Sequence, residues 1–331
     1  MENLNRKFDL FYLVVFSVVL NIVVYYGFVS AYNNLTQVQS IPEQYYSSVY
    51  RYRVLSREIL EMVFDLVQKI FHGEFPSKSY ILSKGSPFYH TLFIINTFFS
   101  VLSLLLLEMI FSLKSFFSID RSIKLLLLVV LVALSALSQY VVTFYDHSAL
   151  FFLLLSIYFI LKYQETRQFS YLLILSVLIG ISTLNRETSA LSLSFLLAVL
   201  LKKRTFSFIE IKGVTKTIAL PFLSFILVYL LLRTSDSEGS AIMEGIYIKE
   251  NLTQFNNLSG LLFAIIVIRI AYRISKTEEN KSLITRFLFF SSPYLLMLLL
   301  VGILWEIRLF IPLVFGSFIL SQIKLKNTVL N

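Results

Sequence analysis

Arg186 and Glu187 are the only charged residues in an apolar run from Tyr171 to Leu201, where they stand in the order Thr183-Leu184-Asn185-Arg186-Glu187-Thr188. A guanidinium is a planar fork of donors matched to carboxylate or phosphate oxygens, and a neighbouring carboxylate accepts such donors. Three other stretches carry the same residue types: Tyr145-Asp146-His147, Glu306-Ile307-Arg308, and a segment in which Tyr45, Tyr46, Tyr50 and Tyr52 lie among Arg51, Arg53 and Arg57. Tyrosine mixed with arginine suits either a membrane-interface belt or a site for phosphate and sugar rings. Purely structural roles stand beside these. Asn185 and Asp146 are good helix caps, Glu187 favours the positive end of a helix, and Glu306 can pair with Arg308. Arg186 has no such structural reason.

The elements that hold these residues are apolar helices. At 57% hydrophobic and 15% charged over 331 residues, with mean hydropathy +0.76, the chain is too apolar for a soluble protein. It reads as one integral membrane domain, residues 1–331, an all-α polytopic bundle. The net charge of +9 sits in short loops between apolar segments, so it sets orientation and gives no nucleic-acid signal. Cysteine is absent, and His72, His90 and His147 are scattered, so neither thiolate chemistry nor a metal site is expected. Nothing in the chain points to a cofactor.

Apolar runs place spans at about 10–31, 88–112, 124–144, 147–161, 170–184, 188–201, 217–233, 258–274, 286–304 and 308–322, about ten helices. The first run is too long for a signal-peptide core, despite the small residues Val29-Ser30-Ala31, and reads as a retained helix. The run from Tyr171 to Leu201 has about 31 residues, too few for two full crossings of about 20 each. It therefore forms a short hairpin with Arg186 and Glu187 at membrane depth, where charge survives only inside protein or beside water. Lys and Arg alternate accordingly: clusters such as Lys202, Lys203 and Arg204 fall in inward loops, as do Arg6, Lys7, Lys324 and Lys326 at the two ends. Both termini are expected on the cytoplasmic side. The largest outer loop, about 32–87, contains helical spacing over residues 57–71, an amphipathic helix too short and charged to span and expected to lie on the membrane surface. Arg57 and Glu61 form an i,i+4 pair on it. Glu108, Asn21, Asn96 and Gln139 are isolated and are expected to join helices through hydrogen bonds.

Tyr52-Arg53-Val54-Leu55, Tyr145-Asp146, Asn185-Arg186-Glu187-Thr188 and Glu306-Ile307-Arg308-Leu309-Phe310-Ile311-Pro312, taken in order, resemble a group of bacterial membrane proteins similar to the GT-C superfamily. Members of that superfamily move sugars from polyprenyl-phosphate carriers to acceptors on the outer face. The resemblance implies an acidic group that deprotonates or orients the acceptor hydroxyl, and cations that stabilise the departing phosphate. Its first-loop acidic position falls at Ile41-Pro42-Glu43-Gln44-Tyr45-Tyr46, so Glu43 and Asp146 are the implied catalytic carboxylates. Arg53, Arg186, Glu187, Glu306 and Arg308 would then bind a polyprenyl-phosphate sugar in the bilayer of a bacterial inner membrane. Two further classes compete: a lipid or solute transporter, and a non-enzymatic membrane assembly protein in which the charges only cap and pair helices.

Overall fold

The computed structural model describes residues 2–27, 33–72, 84–117, 120–201, 208–234 and 246–324. Lys202, Lys203, Arg204, Lys326 and the Val29-Ser30-Ala31 run lie outside the described residues. Within them the protein is all-α, with a single isolated bridge between Phe116 and Ile323 and no strand. The helices are α1 Glu2–Ile22, α2 Asn33–Gln37, α3 Val54–His72, α4 Pro87–Phe111, α5 Arg121–Leu137, α6 Asp146–Thr166, α7 Phe169–Asn185, α8 Ala190–Leu200, α9 Phe208–Thr234, α10 Ile248–Thr253, α11 Phe255–Arg273, α12 Glu278–Phe290, α13 Ser292–Val301 and α14 Ile311–Ser321.

Among the described residues, six segments are long and apolar enough to cross a membrane: Arg6–Gly27, Pro87–Phe111, Arg121–Tyr140, Asp146–Thr166, Val214–Thr234 and Phe255–Arg273. Helices α12 and α13, bent by 49°, make a seventh if taken as one span. The three remaining segments expected from the sequence are α7, α8 and α14, helices of 17, 11 and 11 residues. Each falls short of the roughly 20 residues that a crossing takes. Apolar surface left open to the outside fits lipid rather than water: Leu223, Leu227 and Leu231 on α9 and Leu262, Ile265 and Ile266 on α11 are all exposed.

Two sets of polar contacts mark the ends of the bundle. At one end Glu108 of α4 accepts from Arg6 of α1 at 2.9 Å and from Lys124 of α5 at 3.1 Å, while Arg121 bonds Asp9 at 2.6 Å. Glu108 thus makes the interhelical hydrogen bonds expected of it, and both donors are cations. The same end holds the C-terminal parts of α6, α11 and α14: the backbone N–H of Ser115 donates to Glu165 at 2.8 Å, and Asn280 at the start of α12 donates to the Leu320 and Ile323 carbonyls. At the other end lie the start of α6, the finish of α7 and α9, and the approach to α14. Consecutive apolar helices therefore run in opposite directions, which is what brings Asp146, Arg186 and Arg308 to one level.

Small residues allow the closest helix contacts. On α7, Gly180 faces Ser224 of α9, and the Ser224 hydroxyl donates to the Ser176 carbonyl at 2.6 Å. Asn96 of α4 donates to the Tyr25 hydroxyl and to the Thr143 carbonyl, both at 2.7 Å, and Asn21 reaches Ser100 at 3.4 Å, so both join helices as expected. Helix α3 starts earlier than the predicted 57–71 segment, and its Arg57–Glu61 pair is present at 3.9 Å. It does not rest on lipid through its main apolar face. Ser56, Leu60, Phe64 and Val67, spaced by three and four, are buried in protein, whereas Met62, Leu66 and Ile70 form a second apolar strip that is 66%, 58% and 48% exposed. Apolar positions on two sides of the helix serve two different partners.

Candidate functional site

Asp146 opens α6 with a side chain only 8% exposed, and its carboxylate is surrounded by donors. Arg186 Nη1 donates to Oδ1 in a very close contact, Arg308 Nη1 donates to Oδ2 at 2.6 Å, and the Thr143 hydroxyl donates to Oδ2 at 2.6 Å. Arg308 is shared: its Nη2 donates to Glu306 Oε2 at 2.5 Å. Asp146 makes no cap bond to its own helix. The capping role open to it in the sequence is displaced by the two guanidiniums, whose attraction at this depth exceeds that of a backbone N–H.

The break in the Tyr171–Leu201 run is real and sits at Arg186, which has extended backbone between α7 and a single 3-10 turn, Glu187–Ser189, leading into α8. Asn185 is the last residue of α7 and does not cap α8. Its side-chain oxygen accepts from Ser148 of α6 at 2.8 Å, and its carbonyl accepts from Ser56 of α3 at 3.0 Å. These bonds clamp the turn between two other helices and aim Arg186 inward. Tyr294 of α13 donates to the Leu309 carbonyl at 2.7 Å and holds the Arg308 turn from its far side.

Arg53 completes the cluster without an ion pair. Its guanidinium lies 3.7 Å from the centre of the Tyr145 ring and 4.9 Å from that of Tyr50, while Arg186 approaches Tyr145 at 5.0 Å. Both cations thus lie within reach of the Tyr145 ring. Arg53 is 8% exposed, and its Nε and Nη1 are buried with no hydrogen-bond partner among the described residues. Arg308 Nε is unpartnered in the same way. Three guanidiniums, those of Arg53, Arg186 and Arg308, therefore stand beside two carboxylates, those of Asp146 and Glu306, which pair only with Arg186 and Arg308 among the described residues. A positive surplus is left with unused donors. Glu306 lies in the turn before α14, where burial pushes its carboxyl above the ordinary range against the opposing pull of Arg308.

The other two expected residues lie outside this core. Glu187 pairs with Arg233 of α9 at 3.4 Å, with both side chains about a quarter exposed, and Arg233 stacks on Tyr52 at 3.8 Å. This is a rim contact. Glu43 is exposed at the start of the 3-10 turn Glu43–Tyr46 and makes none of the cluster's contacts. The space directly between Asp146, Arg186, Arg308, His147 and Pro312 holds about one water molecule. A larger cleft lies on the opposite face of the Leu304–Arg308 turn, lined by Tyr140, Asn257 and Trp305 among others.

Thr143 and Tyr294 bear on the cluster, and Tyr145 supplies its aromatic platform, roles that the sequence reading left unassigned. Thr143, three residues before Asp146, is at the spacing of a local side-chain bond and was open to recognition; Tyr294 carries no such signal. Among the described residues no group of His, Asp and Glu has the disposition to hold a metal ion. Compared with protein-family models, curated proteins and solved structures, the chain matches nothing.

Proposed function

We propose that this protein is a membrane glycosyltransferase of GT-C-like architecture that uses a polyprenyl-phosphate-linked sugar at the outer face of a bacterial inner membrane, with both termini in the cytoplasm. The observation that carries the reading is the surplus guanidinium of Arg53, buried on Tyr145 beside an already paired cluster and holding unused donors. A buried cation of this kind attracts an anion, and phosphate has the oxygens that match the guanidinium fork. At the end of a bundle with lipid-facing sides, a phosphate carried by a lipid can reach it by lateral diffusion.

Asp146 in this scheme positions Arg186 and Arg308, because both of its oxygens are already engaged. Glu306 keeps Oε1 outside its bond to Arg308 and is the better-placed proton acceptor of the two. The acceptor oxygen attacks the anomeric carbon as the carbon–oxygen bond to phosphate breaks. The bonding electron pair stays on the phosphate oxygen, which Arg53 and Arg308 neutralise, and the acceptor proton passes to Glu306. Glu43 serves as the alternative acid from the outer loop. The test is transfer in proteoliposomes supplied with a panel of radiolabelled polyprenyl-phosphate sugars. Release of polyprenyl phosphate, lost in Arg53→Gln and Glu306→Gln, is expected; no release from any donor overturns the reading.

A transporter is the second reading, favoured by the breaks at Arg186 and Ser291, since interrupted helices line the sites of many transporters. Movement of the intact lipid-linked sugar across vesicles without cleavage would select it.

A further inference from the structure

The turn Leu304-Trp305-Glu306-Ile307-Arg308 has two faces. Glu306 and Arg308 join the ion cluster, while Trp305 and Ile307 line a separate cleft against the start of α11. Tyr140, in the 3-10 turn Ser138–Tyr140 that follows α5, fixes this arrangement: its hydroxyl donates to the Trp305 carbonyl and accepts from the Ile307 N–H at 3.1 Å, and its ring packs on Trp305 with centres 5.4 Å apart. Gly260 of α11 admits the turn. A Cβ there would lie 2.0 Å from the Leu304 carbonyl oxygen, so the helix and turn touch backbone to backbone only because the side chain is absent.

The cleft has a volume of about 480 Å³, within the roughly 300–1,000 Å³ of small-molecule sites. Its polar lining among the described residues consists of Tyr140, Gln254, Asn256, Asn257 and Ser259, with no charged side chain. Asn257 is 3% exposed, and its side-chain oxygen is buried without a donor. A buried amide oxygen left unpaired is costly, so a ligand hydroxyl that supplies the missing donor gains from it. Trp305, the only tryptophan of the chain, is 40% exposed here and offers an aromatic face.

We propose that this cleft binds a neutral glycosyl unit. Amides and hydroxyls bond to sugar hydroxyls, the Trp305 ring packs on the apolar C–H face of a pyranose, and a described lining without a cation favours a neutral occupant over phosphate or an anionic lipid head group. The unit arrives either as a free glycoside or as the sugar of a lipid-linked donor. That it takes part in transfer rests on the function proposed above; that the cleft binds it does not.

Trp305 makes the test direct, because all tryptophan emission comes from this cleft. Full-length protein in lipid vesicles is titrated with methyl glycosides of common neutral hexoses and N-acetylhexosamines, and separately with polyprenyl-phosphate-linked sugar, with inositol phosphate and glycerol as controls. A saturable emission change is expected for at least one glycoside, weakened about tenfold or more in Asn257→Leu and reduced in Asn256→Ala, whose exposed side chain makes a folding defect unimportant. A response to the lipid-linked sugar alone assigns the source and also supports the proposal. Silence towards every sugar, an equal response to glycerol or inositol phosphate, or binding unchanged in both variants overturns it. Glycoside binding without capture of polyprenyl phosphate by the arginine cluster would leave the cleft standing and remove the transferase reading. The converse result would do the opposite.

Discussion

Replacing Asp146 by asparagine separates an organising role from a purely chemical one. The substitution keeps shape and a hydrogen-bonding oxygen but removes the charge that holds Arg186 and Arg308, inside a cluster where the Asp146 and Arg186 side chains are 8% and 9% exposed. Losing one partner of a buried ion pair costs about 3–5 kcal/mol, because the opposite charge stays buried and unpaired. Arg308 retains Glu306 at 2.5 Å and is partly protected, whereas the only ion pair of Arg186 is to Asp146 among the described residues. The expected loss is therefore about 3 kcal/mol or more, read as a shift in reversible unfolding by denaturing detergent in mixed micelles. Removing Arg186 as well, as Arg186→Gln, should recover part of it, with a coupling of about 1–3 kcal/mol between the two sites. A change below about 0.5 kcal/mol for Asp146→Asn, the level of ordinary surface substitutions, would refute the argument that this carboxylate holds the site together.

Gly260→Ala should destabilise the protein by about 1–3 kcal/mol through overpacking and move Trp305 emission, since the new methyl group meets the Leu304 and Trp305 backbone; unchanged stability and emission would show that the contact is loose. If Glu306 accepts the acceptor proton, only its ionised form is active, so transfer falls as pH drops through its raised pKa. The acid limb of kcat/KM should then stand above the ordinary glutamate value of about 4.3 and vanish in Glu306→Gln; a limb at or below that value counts against the role. Spin labels at Met62 and Leu66 should contact lipid while labels at Leu60 and Phe64 are immobilised in protein, and the reverse pattern would mean that α3 is rotated on the bundle.

The sequence carried the charge placement better than the element lengths. Charge at membrane depth has few ways to survive, so Arg186 in an apolar run already required an opposite charge, and Asp146 supplies it from another hairpin. Among the described residues the apolar runs are mainly helical, yet apolarity does not measure the depth a helix reaches: α7, α8 and α14 are as apolar as the longer spans but are shorter. The docking of α3 was hidden because a helix with two apolar strips has the same spacing whether it meets lipid or protein on either. Glu43 and Glu187 illustrate a different limit. Residue type placed Glu187 among the candidates and the family resemblance placed Glu43 there, but proximity is decided by loop and helix rotation, which left Glu43 exposed and gave Glu187 to Arg233. Asn185 was read as a cap from its position before a helix, and the third dimension supplied Ser148 as a competing donor.

The central claim is that a surplus buried guanidinium captures a lipid phosphate, and equilibrium binding of polyprenyl phosphate against the uncharged polyprenol tests it most directly. Measured by native mass spectrometry on protein released from neutral-lipid nanodiscs, the phosphate should bind preferentially. Arg53→Gln should weaken it about 10- to 100-fold, the value of one or more charge-assisted hydrogen bonds, while Lys69→Gln, a surface cation on α3, leaves it unchanged. Equal binding of polyprenol and polyprenyl phosphate, or unaltered phosphate binding in Arg53→Gln, would contradict the account.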